Sequence, residues 1–134
     1  MPASRHEANK AMVLEALDVL FNQRDFAAAE TFWAPDCIQH SAIIAPGRDG
    51  LFNLVKALPR LRHEAVFICA DGDLVMPHSR YSGNEQPTAS VAVDIFRIGN
   101  GRLHEHWDVL QDEAARGTSL SGLPMFGDAF PGED

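Results

Sequence analysis

Asp94 stands in the middle of an apolar run, Val91-Ala92-Val93-Asp94-Ile95-Phe96. Strands disfavour Asp, and a buried carboxylate without a partner is costly. A strand that holds one needs a reason, either proton transfer or a structural pairing with Arg80 or Arg97. A second run, Arg102 to Leu110, carries His104, His106 and Asp108 on alternate residues. A neutral imidazole both donates and accepts, and it changes charge near physiological pH. Ala92 and Phe96 would desolvate Asp94 and favour its neutral acid, whereas a neighbouring imidazolium would favour the carboxylate. Asp94 beside His106 is therefore suited to general acid–base catalysis, with His106 orienting Asp94 or acting as the base. Asp108 would fix the tautomer of His106 or His40. The plainer alternatives are a core histidine bonded to backbone for His106 and a solubilising rim carboxylate for Asp108.

Other histidines carry weaker signals. His40 follows Ile38 on a short segment, Cys37-Ile38-Gln39-His40, that is either a strand or an extended loop. His78 alternates with Met76 and Leu74, so it either shares a pocket or lies on the surface beside Pro77. A divalent metal on these histidines and aspartates is a minor alternative. The spacing matches neither H-E-x-x-H nor a Cys/His set, so no metal ligands are assigned. His104-x-His106 could chelate, but the carboxylate between them points the other way. No G-x-S-x-G, Walker loop or dinucleotide fingerprint is present, so neither serine nucleophile chemistry nor a nucleotide cofactor is supported, and no cofactor is expected.

The turn that joins the two runs decides what Asp94 faces. A two-residue Asn100-Gly101 loop sets Asp94 opposite Trp107. A three-residue Gly99-Asn100-Gly101 loop, with Gly101 left-handed in a bulge, sets it opposite His106. A slip of one residue moves every side chain to the other face. The three-residue loop sorts the hairpin better. One face then holds Ala92, Asp94, Phe96, His104, His106, Asp108 and Leu110, an apolar surface with ionisable groups embedded, as in a pocket. The other holds Val91, Val93, Ile95, Trp107 and Val109, apolar enough to be covered by another element or a second copy.

The rest of the chain must position this hairpin. Ser4 and Glu7 form an S-x-x-E capping box. Val13, Ala16, Leu17, Leu20 and Phe21 then recur at helical spacing on one stripe. A second helix is expected over Asp25 to Trp33, stopped near Pro35, and a third over Asp49 to Leu58, stopped by Pro59. Strands follow over Glu64 to Ala70, Leu74 to Tyr81, Thr88 to Ile98 and Arg102 to Leu110, with Pro77 marking an edge or a bulge. The Gly/Pro-rich tail from Gly117 still carries Leu120, Leu123, Met125, Phe126 and Phe130, enough to dock on the body. Helices first and a largely antiparallel sheet afterwards give an α+β class. A curved sheet around one long helix would leave a cone with an open mouth.

Length and charge bound the rest. The 134 residues fit one domain and can bury a core without staples. The net charge of -8 is scattered, with no basic stripe, which argues against nucleic acid and anionic membranes. Cys37 and Cys69 form no CxxC or zinc pattern and read as small buried thiols of a reducing compartment. No stretch is long enough to span a bilayer and the first residues lack an apolar leader core, so a cytoplasmic location is expected by default.

The stretch from Val93 through Gln111, with Asp94, Gly99-Asn100-Gly101 and His104-Glu105-His106-Trp107-Asp108, resembles the closing hairpin of SnoaL-like polyketide cyclases. These belong to the nuclear transport factor 2-like superfamily, which includes ketosteroid isomerase. Ile38-Gln39-His40-Ser41, with Gly47 and Gly50-Leu51-Phe52, resembles a second motif of that group, although Ser41-Ala42 stands where Asn-Pro is usual. The resemblance implies a cone-shaped, cystatin-like α+β barrel, usually a homodimer packed through the outer sheet face, here Val91, Val93, Ile95, Trp107 and Val109. It implies that Asp94 resembles the acid/base of the cyclases, or the protonated oxyanion donor of ketosteroid isomerase, whose base lies near the position of His40. It moves His40 towards the pocket. The expectation is a cofactor-independent cyclase, isomerase, dehydratase or hydrolase acting on a small, largely apolar, carbonyl-bearing molecule. Asp94, His40, His106 and Asp108 would be catalytic, and His78, Phe96, Leu110 and Phe52 would contact the substrate. The alternative is a non-catalytic ligand-binding or interaction module on the same scaffold.

Overall fold

The computed structural model describes residues 4–133. Helix α1, Arg5–Leu17, starts where Ser4 Oγ accepts the Glu7 backbone N–H at 3.1 Å. It runs into a π-helical turn, Asp18–Gln23, and the stripe Val13, Ala16, Leu17, Leu20 and Phe21 is buried throughout. Helix α2 covers only Phe26–Ala29, shorter than its apolar spacing suggests. Trp33 and Pro35 lie instead in strand β1, Trp33–Gln39. A residue before proline is pushed out of the helical region, and β1 is an edge strand, where the missing N–H of Pro35 is tolerated.

Helix α3, Gly47–Ala57, follows, and then β2, Arg62–Asp71, β3, Leu74–Ser82, β4, Ser90–Gly99, and β5, Arg102–Asp112. The five strands form one sheet in the order β1-β5-β4-β3-β2. Only the β1–β5 pairing is parallel, so the α+β class and the largely antiparallel sheet agree with the sequence. Pro77 lies in the interior strand β3, not at an edge. The β3–β4 pairing includes Val75↔Phe96 and resumes at His78↔Val93, so the missing donor falls within an interruption of the ladder. The helices cover the concave face, where Trp33, Leu17, Leu20, Val55 and Leu103 are fully buried.

The β4–β5 turn differs from expectation. Asn100 and Gly101 both have positive φ, 52° and 73°, and Gly99 pairs with Arg102. This is the two-residue loop whose twist matches the strands. Ile98 pairs with Leu103 but Arg97 with Glu105, so His104 is an extra, bulged residue, lying over Gly99. Asp94 therefore sits opposite Asp108, not His106. The bulge restores the parity that the shorter loop would have lost. Asp94, Phe96, His106 and Asp108 thus share the inner face after all, while His104 leaves it.

The segment after β5 packs on the outer face. Glu113 is buried and takes two bonds from Arg80, from Nε at 2.8 Å and from Nη2 at 2.5 Å. The Arg80 guanidinium lies over Phe126, 4.4 Å from the ring centre, and Phe126 packs against His78. Arg116 caps Phe130 and pairs with Glu133. Val91 is buried, whereas Val93 and Val109 remain 43% and 71% exposed. Of the two cysteines only Cys37 is buried, and burial pushes its thiol up to about 11; Cys69 is exposed, contrary to the reading of two buried thiols. No helix among the described residues is long and apolar enough to cross a membrane.

Candidate active site

Between the concave face and the helices lies a cavity of about 480 Å³. That size suits a ligand of several fused or linked rings. Leu17 and Phe21 from the first helical segment, Leu51 and Leu54 from α3, and Phe96 and Leu110 from the sheet give it apolar walls. Gln39, Tyr81, Asp94, His106 and Asp108 are set into those walls.

Four of these form a continuous hydrogen-bonded row. The Tyr81 hydroxyl donates to Asp94 Oδ2 at 2.6 Å. Asp94 Oδ1 meets His106 Nε2 at 3.0 Å, and His106 Nδ1 meets Gln39 Oε1 at 2.6 Å. Asp94 is 1% exposed and His106 6%. The donor roles can be worked out from one end. Gln39 Oε1 also accepts the backbone N–H of Ser41 at 3.0 Å, which fixes it as the acceptor. His106 Nδ1 must then carry a proton. The contact between Nε2 and Asp94 needs one more proton, held either by the carboxyl or by the ring. Asp94 and His106 thus share a single transferable proton in an apolar cavity.

The structural alternative for Asp94, a pairing with Arg80 or Arg97, is not realised. Arg80 is engaged by Glu113 and Glu64, and Arg97 by Asp73 and Glu105. Tyr81 is pushed well above the ordinary phenol range by burial and then by the charge of Asp94, so it keeps its proton. Asp108 faces the cavity directly across the ladder from Asp94. Burial raises it above the usual carboxylate range, the charge of Asp94 adds to this, and Ser41 and His106 pull the other way. Asp94, His106 and Asp108 offer ligand atoms within 4.8 Å of one another. His106 Nε2 and both Asp94 oxygens are already bonded within the row, so a cation there would have to break the Asp94–His106 contact.

Three expected site residues lie elsewhere. His40 is on the outside. Its Nε2 bonds Glu105 Oε2 at 2.7 Å and its ring stacks on Trp107, 4.7 Å between centres. The register explains this: Gln39 pairs with His106 and Ile38 with Glu105, so alternation turns Gln39 inward and His40 outward. His78 is on the outer face, between Phe67 and Phe126. Phe52 is buried in the core against Trp33 and Phe26, and its neighbours Leu51 and Leu54 line the cavity instead. Phe96 and Leu110 line the cavity as anticipated, and Phe96 also stacks on His106.

Sequence reasoning missed Gln39 and Tyr81. Gln39 lies inside the quoted Ile38-Gln39-His40 motif, where the histidine drew the attention. Tyr81, the chain's single tyrosine, ends a strand whose alternate residues Val75, Pro77 and Ser79 are fully buried, which is the available signal. The pair gives a contrast. Gln39→Leu removes the acceptor that fixes His106 and is expected to lower turnover roughly 10- to 100-fold, the equivalent of one buried charge-assisted hydrogen bond. His40→Ala is expected to leave turnover within about twofold, since its bonds are at the exposed surface. Steady-state rates of the two variants check both.

A model of the SnoaL-like domain matches residues 13–106, well over half of the chain. The chain belongs to the SnoaL-like domain family. In this SnoaL-like domain the matched segment includes Gln39, Tyr81, Asp94 and His106 and stops just short of Asp108. Solved structures share its fold. A proposed ketosteroid isomerase from Kribbella flavida superposes with a TM-score of 0.71, covering 93% of this chain and 96% of its own, at 16% identity. A proposed polyketide cyclase from Acidithiobacillus ferrooxidans gives 0.65, with 81% and 92% covered, at 17% identity. AclR, a proposed hydroxylase from Streptomyces galilaeus, gives 0.63, with 80% and 81% covered, at 24% identity. No curated protein sequence matches this SnoaL-like domain.

Proposed function

We propose that this SnoaL-like domain is a cofactor-independent acid–base enzyme acting on a small, largely apolar, carbonyl-bearing molecule. The observation that carries this reading is the Asp94–His106 contact at the wall of an apolar cavity, which needs one proton between the two groups, with no arginine neutralising the carboxylate. The substrate carbonyl would take a hydrogen bond from the Tyr81 hydroxyl or from the proton between Asp94 and His106, diverted from its partner in the row, which stabilises charge as it develops on that oxygen. Asp108 faces the cavity and is raised by burial, so it would remove the proton next to the carbonyl. The proton leaves carbon for the Asp108 carboxylate, and its electron pair moves into the enolate held by the row. This assigns Asp108 the base role that the sequence gave to Asp94, because both Asp94 oxygens are already bonded. The solved neighbours described as a proposed ketosteroid isomerase and a proposed polyketide cyclase are consistent with such chemistry. A homodimer would use the outer face, where Val93 and Val109 stay exposed.

Deuterium exchange tests the reading. A bicyclic β,γ-unsaturated ketone incubated with the protein in D2O is expected to incorporate deuterium next to its carbonyl faster than in buffer. Binding of the ketone without any acceleration of exchange would instead make the domain a ligand-binding module.

A further inference from the structure

The cavity has a second polar region, away from the Asp94–His106 row. Asn84 and Gln86, from the β3–β4 connection, and Ser90, the first residue of β4, line it there. Gln86, Leu110 and Ile43 are exposed lining residues, so the cavity opens to solvent among them. The loop at this mouth is pinned. Gly83 has a φ of 69°, and a Cβ there would lie 2.0 Å from the Arg60 carbonyl oxygen, so only glycine lets the loop rest on the α3–β2 connection. Asn84 Oδ1 accepts the Gln86 backbone N–H at 3.2 Å, and Asn84 Nδ2 donates to Ser90 Oγ at 3.2 Å. Ser90 Oγ therefore accepts from Asn84 and keeps its own hydroxyl proton to give. Among the described residues no protein group takes that proton, and the Gln86 side-chain amide is also without a partner. Ser90 and Asp94 face the same side of β4, four residues apart, so about 13 Å of strand separates the mouth from the catalytic row.

We infer that this mouth is a specificity subsite for an uncharged oxygen function at the end of the substrate remote from its reacting carbonyl. The Ser90 hydroxyl donates to that oxygen, the Gln86 amide adds a second bond, and Asn84 holds Ser90 in place. The substrate class is then a neutral, elongated molecule, with a carbonyl at one end and an ester, ketone or ether oxygen on the order of 13 Å away. A free carboxylate at the far end is disfavoured. No lysine or arginine is among the residues that line the cavity, so an anion there would give up hydration for neutral donors alone. Arg60 meets the loop at Gly83 but does not line the cavity, and Arg80 is held by Glu113 and Glu64. Asp112 pairs with Ser90 across the β4–β5 ladder, and the chain as a whole carries a charge of -8, so the field at the mouth also opposes an anion.

The inference rests on the acid–base reading for which end of the molecule reacts, but its test is an equilibrium one. Three saturated tricyclic ketones share one skeleton and differ only at the ring farthest from the ketone, which bears a methyl ester, a carboxylate or hydrogen. Their dissociation constants are measured at neutral pH by calorimetry on the intact protein. The ester is expected to bind about 10-fold more tightly than the carboxylate. Ser90→Ala should weaken the ester by about 3- to 10-fold, the equivalent of one neutral hydrogen bond, and leave the unsubstituted ketone within about twofold. Gln86→Lys, at an exposed position, sets a cation at the mouth and should tighten the carboxylate by about 10-fold, as a charged hydrogen bond would. An ester that does not bind, a carboxylate that binds the parent protein as tightly as the ester, an ester indifferent to Ser90→Ala, or a carboxylate indifferent to Gln86→Lys would each overturn the subsite. Selective binding of the ester without accelerated exchange in the matching unsaturated ketone leaves the subsite standing and ends the acid–base reading. Accelerated exchange with no preference between ester and carboxylate does the reverse.

Discussion

Asp94→Asn is expected to lower the rate of deuterium exchange into the ketone by about 10²–10⁴-fold, the usual range for losing a positioned acid–base group, while the protein stays folded. The reason lies in the hydrogen-bond inventory. An Asn amide at this place can still donate to His106 Nε2 and accept from Tyr81, so both neighbours of Asp94 keep a partner and no polar group is orphaned. What disappears is the second proton state. With an amide facing it, Nε2 is locked as an acceptor, His106 stays neutral, and the row has no transferable proton to offer a developing oxyanion. Exchange rates, read beside circular dichroism and a thermal melt, separate this from unfolding. A variant that is folded and as fast as the parent would remove Asp94 from the chemistry.

Asp108→Asn should cost about as much, roughly 10²–10⁴-fold, through a different step. Asp108 must be ionised to accept a proton from carbon, so activity is present above its pKa and lost as pH falls through it. Burial first, and the charge of Asp94 behind it, hold that pKa above the ordinary value of 3.8. The acid limb of the rate should therefore lie higher than a free aspartate would place it. In Asp108→Asn the limb should vanish with the activity, leaving a low rate that no longer rises through this range. A pH–rate profile of both proteins checks the position and the origin of the limb.

Much of this arrangement was legible in the residue pattern, and the departures share one physical cause. Helix α1 was readable because its cap and its apolar stripe are local signals that agree. The inner face of the last hairpin was also sorted correctly apart from His104, yet through a turn that is not the one formed. The shorter Asn100-Gly101 loop and the bulge at His104 shift the register by one residue each, and the shifts together preserve parity. Hydrophobic alternation reports parity and cannot count residues, so it gave the face and missed the partner of Asp94. The same limit explains His40. The motif around it is real, but whether Gln39 or His40 turns inward depends on how β1 pairs with β5, a contact between distant segments. Trp33 carried a helical spacing that a neighbouring proline and an edge-strand position overrode. His78 alternates as an inward residue would, but the inner face of β3 belongs to Val75, Pro77, Ser79 and Tyr81. The docking of the tail through Arg80, Glu113 and Phe126 joins three separate stretches that no local pattern links.

The central claim is that one proton lies between Asp94 and His106, with the far side of the ring fixed by Gln39. A 15N NMR titration of His106 in the unaltered protein addresses it most directly. The account predicts an Nδ1 that stays protonated throughout the folded pH range, and an Nε2 resonance that changes when Asp94 is replaced by Asn. An Nδ1 without its proton, or an Nε2 resonance that ignores the change at residue 94, would contradict it.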